Sequence, residues 1–161
     1  MELLVLAIGG TIDKVYFDAL SDYQIGPPAA TEILQRVKVN FEFSVRQMIS
    51  KDSLEMTDAD RQDILMAVQA HSAKHVIITH GTDTMVDTGQ VLKQAMGKTI
   101  VIMGAMQPAI MKLTDADFNL GVAVAAVQTL SPGVYLCMNG RIYNVDKVIK
   151  NRAEGQFQDL G

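Results

Sequence analysis

Leu3 to Ile8 is an unbroken apolar run that stops at Gly9-Gly10. A strand with one wet face alternates apolar and polar residues. A short run that is apolar at every position has both faces covered, as in a parallel sheet between helices. The segments that follow keep that promise. Pro27-Pro28 open a stretch with Ile33, Leu34 and Val37 at helical spacing, and proline suits a first helical turn. Phe41, Phe43 and Val45 alternate with polar residues and predict a second strand. Thr57 and Asp60 resemble a capping pair ahead of a helix carrying Ile64, Leu65 and Val68.

Val76–Thr79 reads as the next strand. Met85, Gly89, Leu92 and Met96 recur on one helical face. Thr99–Met103 is β-rich, and Leu113–Leu130 holds an Ala/Val-rich helix close to a sheet. Val134–Met138 and Arg141–Val145 flank Asn139-Gly140, a strong hairpin turn. The polar stretch from Asn151 to Gly161 is left open between ordered and frayed. Strands alternating with helices give βαβ units, and right-handed crossovers put helices on both faces. The expected fold is a three-layer, Rossmann/flavodoxin-like α/β domain with a mostly parallel sheet and a C-terminal hairpin.

A length of 161 residues suits one domain and excludes a second of full size. A net charge of −4 leaves no basic surplus to neutralise phosphates, so nucleic acid is not an expected partner. The single Cys137 cannot form an internal disulfide. It reads as a small buried hydrophobe in a reduced, cytoplasmic protein. The apolar N-terminus lacks a basic lead and is too short to span a membrane, so neither a signal peptide nor an anchor is expected. The ten methionines are read as gap-filling core residues. His71, His75 and His80 fit no zinc spacing, and no metal or cofactor is expected. Asp115 and Asp117 flank a helix start, where acids favour the dipole.

In an open α/β sheet, ligands bind beyond the carboxyl ends of the strands. Three segments fall there: Gly9-Gly10-Thr11, His80-Gly81-Thr82-Asp83-Thr84 and Gly104-Ala105-Met106-Gln107-Pro108. Neither the dinucleotide fingerprint nor the P-loop is present. Each residue also has a plain role. Thr11 and Thr82 suit turns, Asp83 a helix cap, Ser53 a cap or turn, Lys150 a solvated surface, and Tyr23 a packed loop anchor.

As a set, they resemble the bacterial-type L-asparaginase (asparaginase/glutaminase) family. Gly9-Gly10-Thr11-Ile12 and Thr79-His80-Gly81-Thr82-Asp83-Thr84-Met85 are similar to its two signature segments. Ser21–Gly26, Asp52–Met56, Gly104–Pro108, Asp117–Leu120 and Asp146–Lys150 match further landmarks in order. The resemblance implies hydrolysis of L-asparagine, or a related amino-acid amide, to the acid and ammonia. Thr11 would be the nucleophile and form an acyl-enzyme, with Tyr23 activating it. Thr82 would be a second centre, with Lys150 as proton acceptor and Asp83 orienting the lysine and meeting the substrate ammonium. Gly10, Asp52, Ser53, Gly81 and Ala105 would complete the substrate site, Ser53 meeting the α-carboxylate. Backbone N–H groups near Thr82 and Ala105 would hold the oxyanion.

Leu54 stands where the family often has a polar group, and Gln107 replaces a frequent arginine. The resemblance covers the family's N-terminal domain, so residues 1–161 are expected to form that single domain with the C-terminal domain absent. A homodimer or higher homo-oligomer would then cover the site. The competing class is a non-catalytic binder of asparagine or aspartate, used in sensing or completed by a partner chain.

Overall fold

The structure, a computed structural model, describes residues 1–161. The Leu3–Ile8 run lies in β1 (Glu2–Gly9), whose side chains feed two separate cores. Leu3 and Val5 point to one face; Leu4, Leu6 and Ile8 point to the other. The period of two in a strand makes this division. Lys14–Phe17 (β2) and Asp22–Ile25 (β3) form a hairpin outside the main sheet. The chain continues through α1 (Ala29–Arg36), β4 (Glu42–Lys51), α2 (Asp58–Ala70), β5 (His75–Thr79), α3 (Met85–Leu92) and β6 (Thr99–Met103). It ends through α4 (Ala116–Thr129), β7 (Gly133–Met138), β8 (Arg141–Asn144), β9 (Val148–Asn151) and β10 (Gln156–Asp159).

The main sheet has the order β4-β1-β5-β6-β7-β8. Its first five strands are parallel, and β8 pairs antiparallel with β7 through the Asn139-Gly140 turn. Both turn residues have positive φ, 53° and 77°, as a two-residue turn with the favoured twist requires. Helices α2 and α3 cover one face through Ile64, Leu65, Val68, Met85 and Leu92. Helices α1 and α4 cover the other through Ile33, Leu34, Leu120, Ala123 and Val127. The three-layer α/β expectation is met. Each fully buried Leu, Ile or Val contributes about 1.5–3 kcal/mol, so the two apolar faces carry most of the stability.

Several boundaries differ from the sequence reading. The strand expected at Phe41–Val45 runs on to Lys51 as an edge strand, because β1 offers it a backbone partner far past the apolar triplet. Helix α3 stops at Leu92, so Met96 leaves the helical face and is 86% exposed. Gly97, at φ 77°, turns the chain back to β6. Met66 and Met106 are also exposed, so core filling describes Met56, Met85, Met103 and Met138 but not every methionine. The tail from Asn151 is ordered: β10 pairs with β9, Phe157 is buried, and its carbonyl accepts from the Tyr143 hydroxyl at 3.2 Å. Cys137 has no exposure, and burial pushes its thiol up to about 12. No helix is long and apolar enough to cross a membrane.

The predicted capping pair forms a full capping box. The Asp60 amide donates to the Thr57 hydroxyl at 3.2 Å, and the Thr57 amide donates to the Asp60 carboxylate at 2.8 Å. Lys51 at the end of β4 adds two bonds to that carboxylate, at 3.0 and 2.9 Å. These donors hold Asp60 down to about 2. Thr57→Ala should lower unfolding free energy by about 1 kcal/mol, read as a shifted urea midpoint at unchanged slope.

Candidate active site

From β1 the chain passes through α1 to the sheet edge at β4, then crosses through α2 to β5 on the far side of β1. The loops after β1 and β5 therefore leave toward opposite faces. A crevice opens between neighbouring strand ends, the usual ligand position in such sheets. Thr11 follows β1 and Thr82 follows β5, so both sit at this point.

Two glycines let the segments converge. A Cβ on Gly10, whose φ is 86°, would lie 2.5 Å from the Gly81 nitrogen. A Cβ on Gly81 would lie 2.7 Å from both Cβ and Oγ of Ser53. A side chain at Gly10 would force the two backbones apart, and one at Gly81 would collide with the Ser53 side chain. Gly10, Gly81 and Ser53 thus stack in direct contact, with Thr11 and Thr82 carried by the residues that follow. The Thr84 hydroxyl ties the stack down by donating to the Ser53 carbonyl at 2.9 Å.

Lys150 arrives on β9, 68 positions beyond Thr82. Its Nζ donates to the Thr82 hydroxyl at 2.7 Å and to Asp83 Oδ1 at 2.6 Å. The lysine side chain is only 11% exposed, so the solvated-surface role does not apply. Nor is Asp83 the cap of α3: Thr84 holds the N-cap position without a side-chain cap bond, and the Asp83 carboxylate is turned to Lys150. Charge-assisted hydrogen bonds of this kind, here partly buried, are among the stronger ones. They fix the Thr82–Asp83–Lys150 geometry.

The third loop is anchored from α4. Asp115 accepts from the amides of Met106 (2.9 and 3.0 Å) and Gln107 (2.9 Å), and from Asn119 Nδ2 at 2.8 Å. Asn119 also donates to the Gly104 carbonyl at 3.0 Å. Asp115 is therefore a loop anchor, whereas Asp117 meets Arg36 at 2.6 Å. The amides of Gly10, Gly81, Thr82, Asp83 and Ala105 donate to no partner within the chain. They are donors available to a ligand oxygen.

Thr11 is half-buried, and its hydroxyl makes no hydrogen bond in the chain. Ser53 is buried with an equally free hydroxyl. Asp52 accepts from the Leu54 amide at 3.1 Å and lies 3.8 Å from Lys14, linking the Thr11 and Ser53 segments. Tyr23 is not joined to Thr11 by any hydrogen bond. It sits on β3, 41% exposed, edge-on to Tyr16 with ring centroids 5.6 Å apart. No group of three or more His, Cys, Asp or Glu is arranged to hold a metal.

Sequence reasoning missed Asp115 and Asn119 as anchors, and Thr84 and Thr88 as buried ties. Nothing local marks them, because their partners lie 8 to 31 positions away. It also missed Asp13, which is 3% exposed and accepts from the Ala29 amide at 2.8 Å, at the start of α1. Asp13 lines a cavity of about 670 Å³ beside the Thr11 segment, with Pro28, Glu32, Ala109 and Lys112. This cavity is not lined by Thr11, Thr82 or Lys150; topology and hydrogen bonding mark the crevice that carries them.

Fold and site together define an α/β domain that gathers two threonines, a lysine and an aspartate at a sheet switch point. The chain matches the family model described as "Asparaginase, N-terminal" over residues 2–157. It belongs to the asparaginase family through that N-terminal domain. It is 31% identical over 160 residues to a probable periplasmic L-asparaginase of Haemophilus influenzae, covering 92% of this chain and 46% of the relative. It is 29% identical over 174 residues to an L-asparaginase of Thermococcus kodakarensis, covering 99% and 51%. The solved thermostable L-asparaginase from Thermococcus kodakarensis superposes with a TM-score of 0.83 at 27% identity, again covering 99% of this chain and 51% of that one. The chain spans about half the length of the relatives it matches.

Two buried titrating groups oppose each other near the site. Burial pushes Asp13 up to about 6 against the Ala29 amide, so its contribution is full below 3.8 and lost as pH rises through about 6. Burial holds His80 down to about 4, so its contribution is full above 6.5 and lost as pH falls through about 4. Each amounts to about 3 kcal/mol, and they nearly cancel across the shared window. Asp13→Asn should therefore raise stability at pH 7 by about 1–3 kcal/mol. It should also steepen the loss between pH 6.5 and 4, as urea unfolding at both ends of that window would show. Equal pH profiles in the two proteins would remove Asp13 from this account.

Proposed function

We propose that the chain is an amidohydrolase that converts L-asparagine to L-aspartate and ammonia through a threonine acyl-enzyme. The observation that carries this reading is the Lys150–Thr82–Asp83 contact set beside Thr11. A ligand binder needs Ser53 and Asp83 but has no chemical need for a lysine aimed at a threonine hydroxyl.

In this mechanism the side-chain amide of asparagine lies between Thr11 and Thr82. Thr11 Oγ1 attacks the amide carbon. The carbonyl oxygen becomes negative and takes hydrogen bonds from the free amides of Thr82 and Ala105, a contribution of about 3–4 kcal/mol per donor in other amide hydrolases. The nucleophile's proton moves by way of Thr82 and Lys150 to the leaving nitrogen, and ammonia departs. Water then attacks the Thr11 ester, its proton returning to Thr11, and aspartate is released. Asp83 orients Lys150 and presents its free oxygen to the substrate ammonium, while Ser53 meets the α-carboxylate. Tyr23 belongs to the β2–β3 hairpin, and in this reading it reaches Thr11 by closure of that hairpin over substrate. A second copy of the chain is the covering partner, seated on Tyr16, Phe17 and Leu20, which are exposed on and beside that hairpin.

Ammonia release from L-asparagine, with L-glutamine as comparison, tests the reading. Thr11→Ala should lower the rate by roughly a thousandfold or more. Lys150→Met should lower it by about a hundred- to ten-thousandfold. Thr82→Ala should resemble the lysine variant, since both interrupt one proton path. An inert wild type whose melting temperature rises with L-aspartate would instead assign a binder. For the partner, light scattering at micromolar concentration should give at least twice the chain mass, and a clean monomer would remove the covering copy.

A further inference from the structure

Asp13 stands apart from the catalytic set. It is 3% exposed and lines the cavity of about 670 Å³ walled by the start of α1 and by the Ala109–Lys112 segment. Its Oδ1 accepts from the Ala29 amide at 2.8 Å, and its Oδ2 takes no hydrogen bond. Oδ2 is nonetheless not one of the sealed polar atoms that lack a partner, which are Arg61 Nε, Thr79 Oγ1 and Asn119 Oδ1. It therefore opens on the cavity. A carboxylate offers about four acceptor positions, and Asp13 uses one. Burial raises its carboxyl to about 6, so at pH 7 the ionised form prevails. No cation of the chain answers that charge. Lys14 turns to Asp52 at 3.8 Å, Arg36 is bonded to Asp117 at 2.6 Å, and Lys112 lines the cavity without an ion pair to Asp13.

A buried charge without a partner is costly, and a cation that donates hydrogen bonds offsets that cost. The cavity selects which cation fits. A metal ion needs several ligands, and no group of three or more His, Cys, Asp or Glu is gathered to hold one. Cavities of about 300–1,000 Å³ hold organic molecules, and bare ammonium would leave this one nearly empty. Ile12, Val15, Ile33, Ala109, Ile110 and Met111 give it an apolar wall. The matching ligand has a charged N–H donor at one end and hydrocarbon behind it. We propose that this cavity binds a primary alkylammonium ion, whose –NH3+ group donates to Asp13 Oδ2 while its aliphatic stem lies on the apolar wall. The site is separate from the crevice, because Thr11, Thr82 and Lys150 do not line it. Backbone joins the two: the Ile12 carbonyl accepts from the Ala109 amide at 3.1 Å, and the Asp13 carbonyl accepts from the Gly26 amide at 2.7 Å. An occupant thus touches both the segment that follows Thr11 and the segment that follows the Gly104–Pro108 loop.

The probe is n-butylammonium chloride, compared at equal ionic strength with sodium chloride, tetramethylammonium chloride and sodium butyrate. Binding is read in nitrogen-15 spectra of the whole chain from the Ala29 amide, which is bonded to Asp13. At pH 7.5 this resonance should move along a saturable curve with a Kd of about 1 mM. The other salts should leave it in place, since each lacks either the N–H donors or the positive charge. The ammonium binds the ionised carboxylate, so affinity should rise with pH through about 6 and be about tenfold weaker at pH 5 than at pH 7.5. Lys14, Glu32, Arg36, Lys112 and Asp117 are the other charged groups on the wall. Glu32→Gln should keep the pH step, which assigns it to Asp13. Asp13→Asn keeps the shape, removes the charge and should weaken binding at least about tenfold. Four results overturn the site: no saturable shift, an equal shift with tetramethylammonium, affinity that does not rise from pH 5 to 7.5, or unchanged binding by folded Asp13→Asn. The pH comparison uses wild type alone and decides if that variant does not fold. No arm reads ammonia release, so the outcome is independent of the amidohydrolase reading.

Discussion

Gly10 meets Gly81 backbone to backbone, Gly81 packs on the Ser53 side chain, and the arrangement of the site follows from these contacts. Strands β1 and β5 are neighbours whose following loops depart to opposite faces, so nothing in the sheet itself holds those loops together. The two missing Cβ atoms allow close approach, and the Thr84 bond to the Ser53 carbonyl keeps the third member in place. Thr11 and Thr82 are carried by the flanking residues and so inherit a fixed separation. The Gly81 carbonyl is in turn hydrogen-bonded to the buried His80 ring at 2.7 Å.

Around this contact, polar groups are held by partners from distant elements. Lys150 is brought by the β9–β10 pair, which is itself fastened to the main body through Tyr143 and Phe157. Asp115 and Asn119 on α4 hold the Gly104–Gln107 turn, leaving the Ala105 amide free. Two of these bonds, Asn119 to the Gly104 carbonyl and Tyr143 to the Phe157 carbonyl, satisfy groups that would otherwise be buried without partners. Asp13 and His80 show the strain in the scheme. One carboxyl and one imidazole are held almost entirely out of water, with opposite effects on stability in mild acid.

Much of this was legible in the residues. The Leu3–Ile8 run announced a strand covered on both sides, Asn139-Gly140 announced the hairpin, and Thr57 with Asp60 announced a capping box. The glycine-bearing segments after the strands gave Thr11, Thr82 and Asp83, and resemblance added Lys150. What escaped was non-local. The β2–β3 hairpin and the β9–β10 pair carry weak patterns, and β4 extends only because β1 lies beside it. Met96 looked like a fourth helical contact, but a glycine turn took it out of the helix.

The sequence by itself determined the layers, because apolar period and turn chemistry act within a few residues. It also determined which side chains could do chemistry. The tertiary structure decided which of them meet: Lys150 with Thr82 and Asp83, Asp115 with two loop amides, and Tyr23 with Tyr16 instead of Thr11. Such pairings depend on distances across the crevice, which a local pattern does not encode.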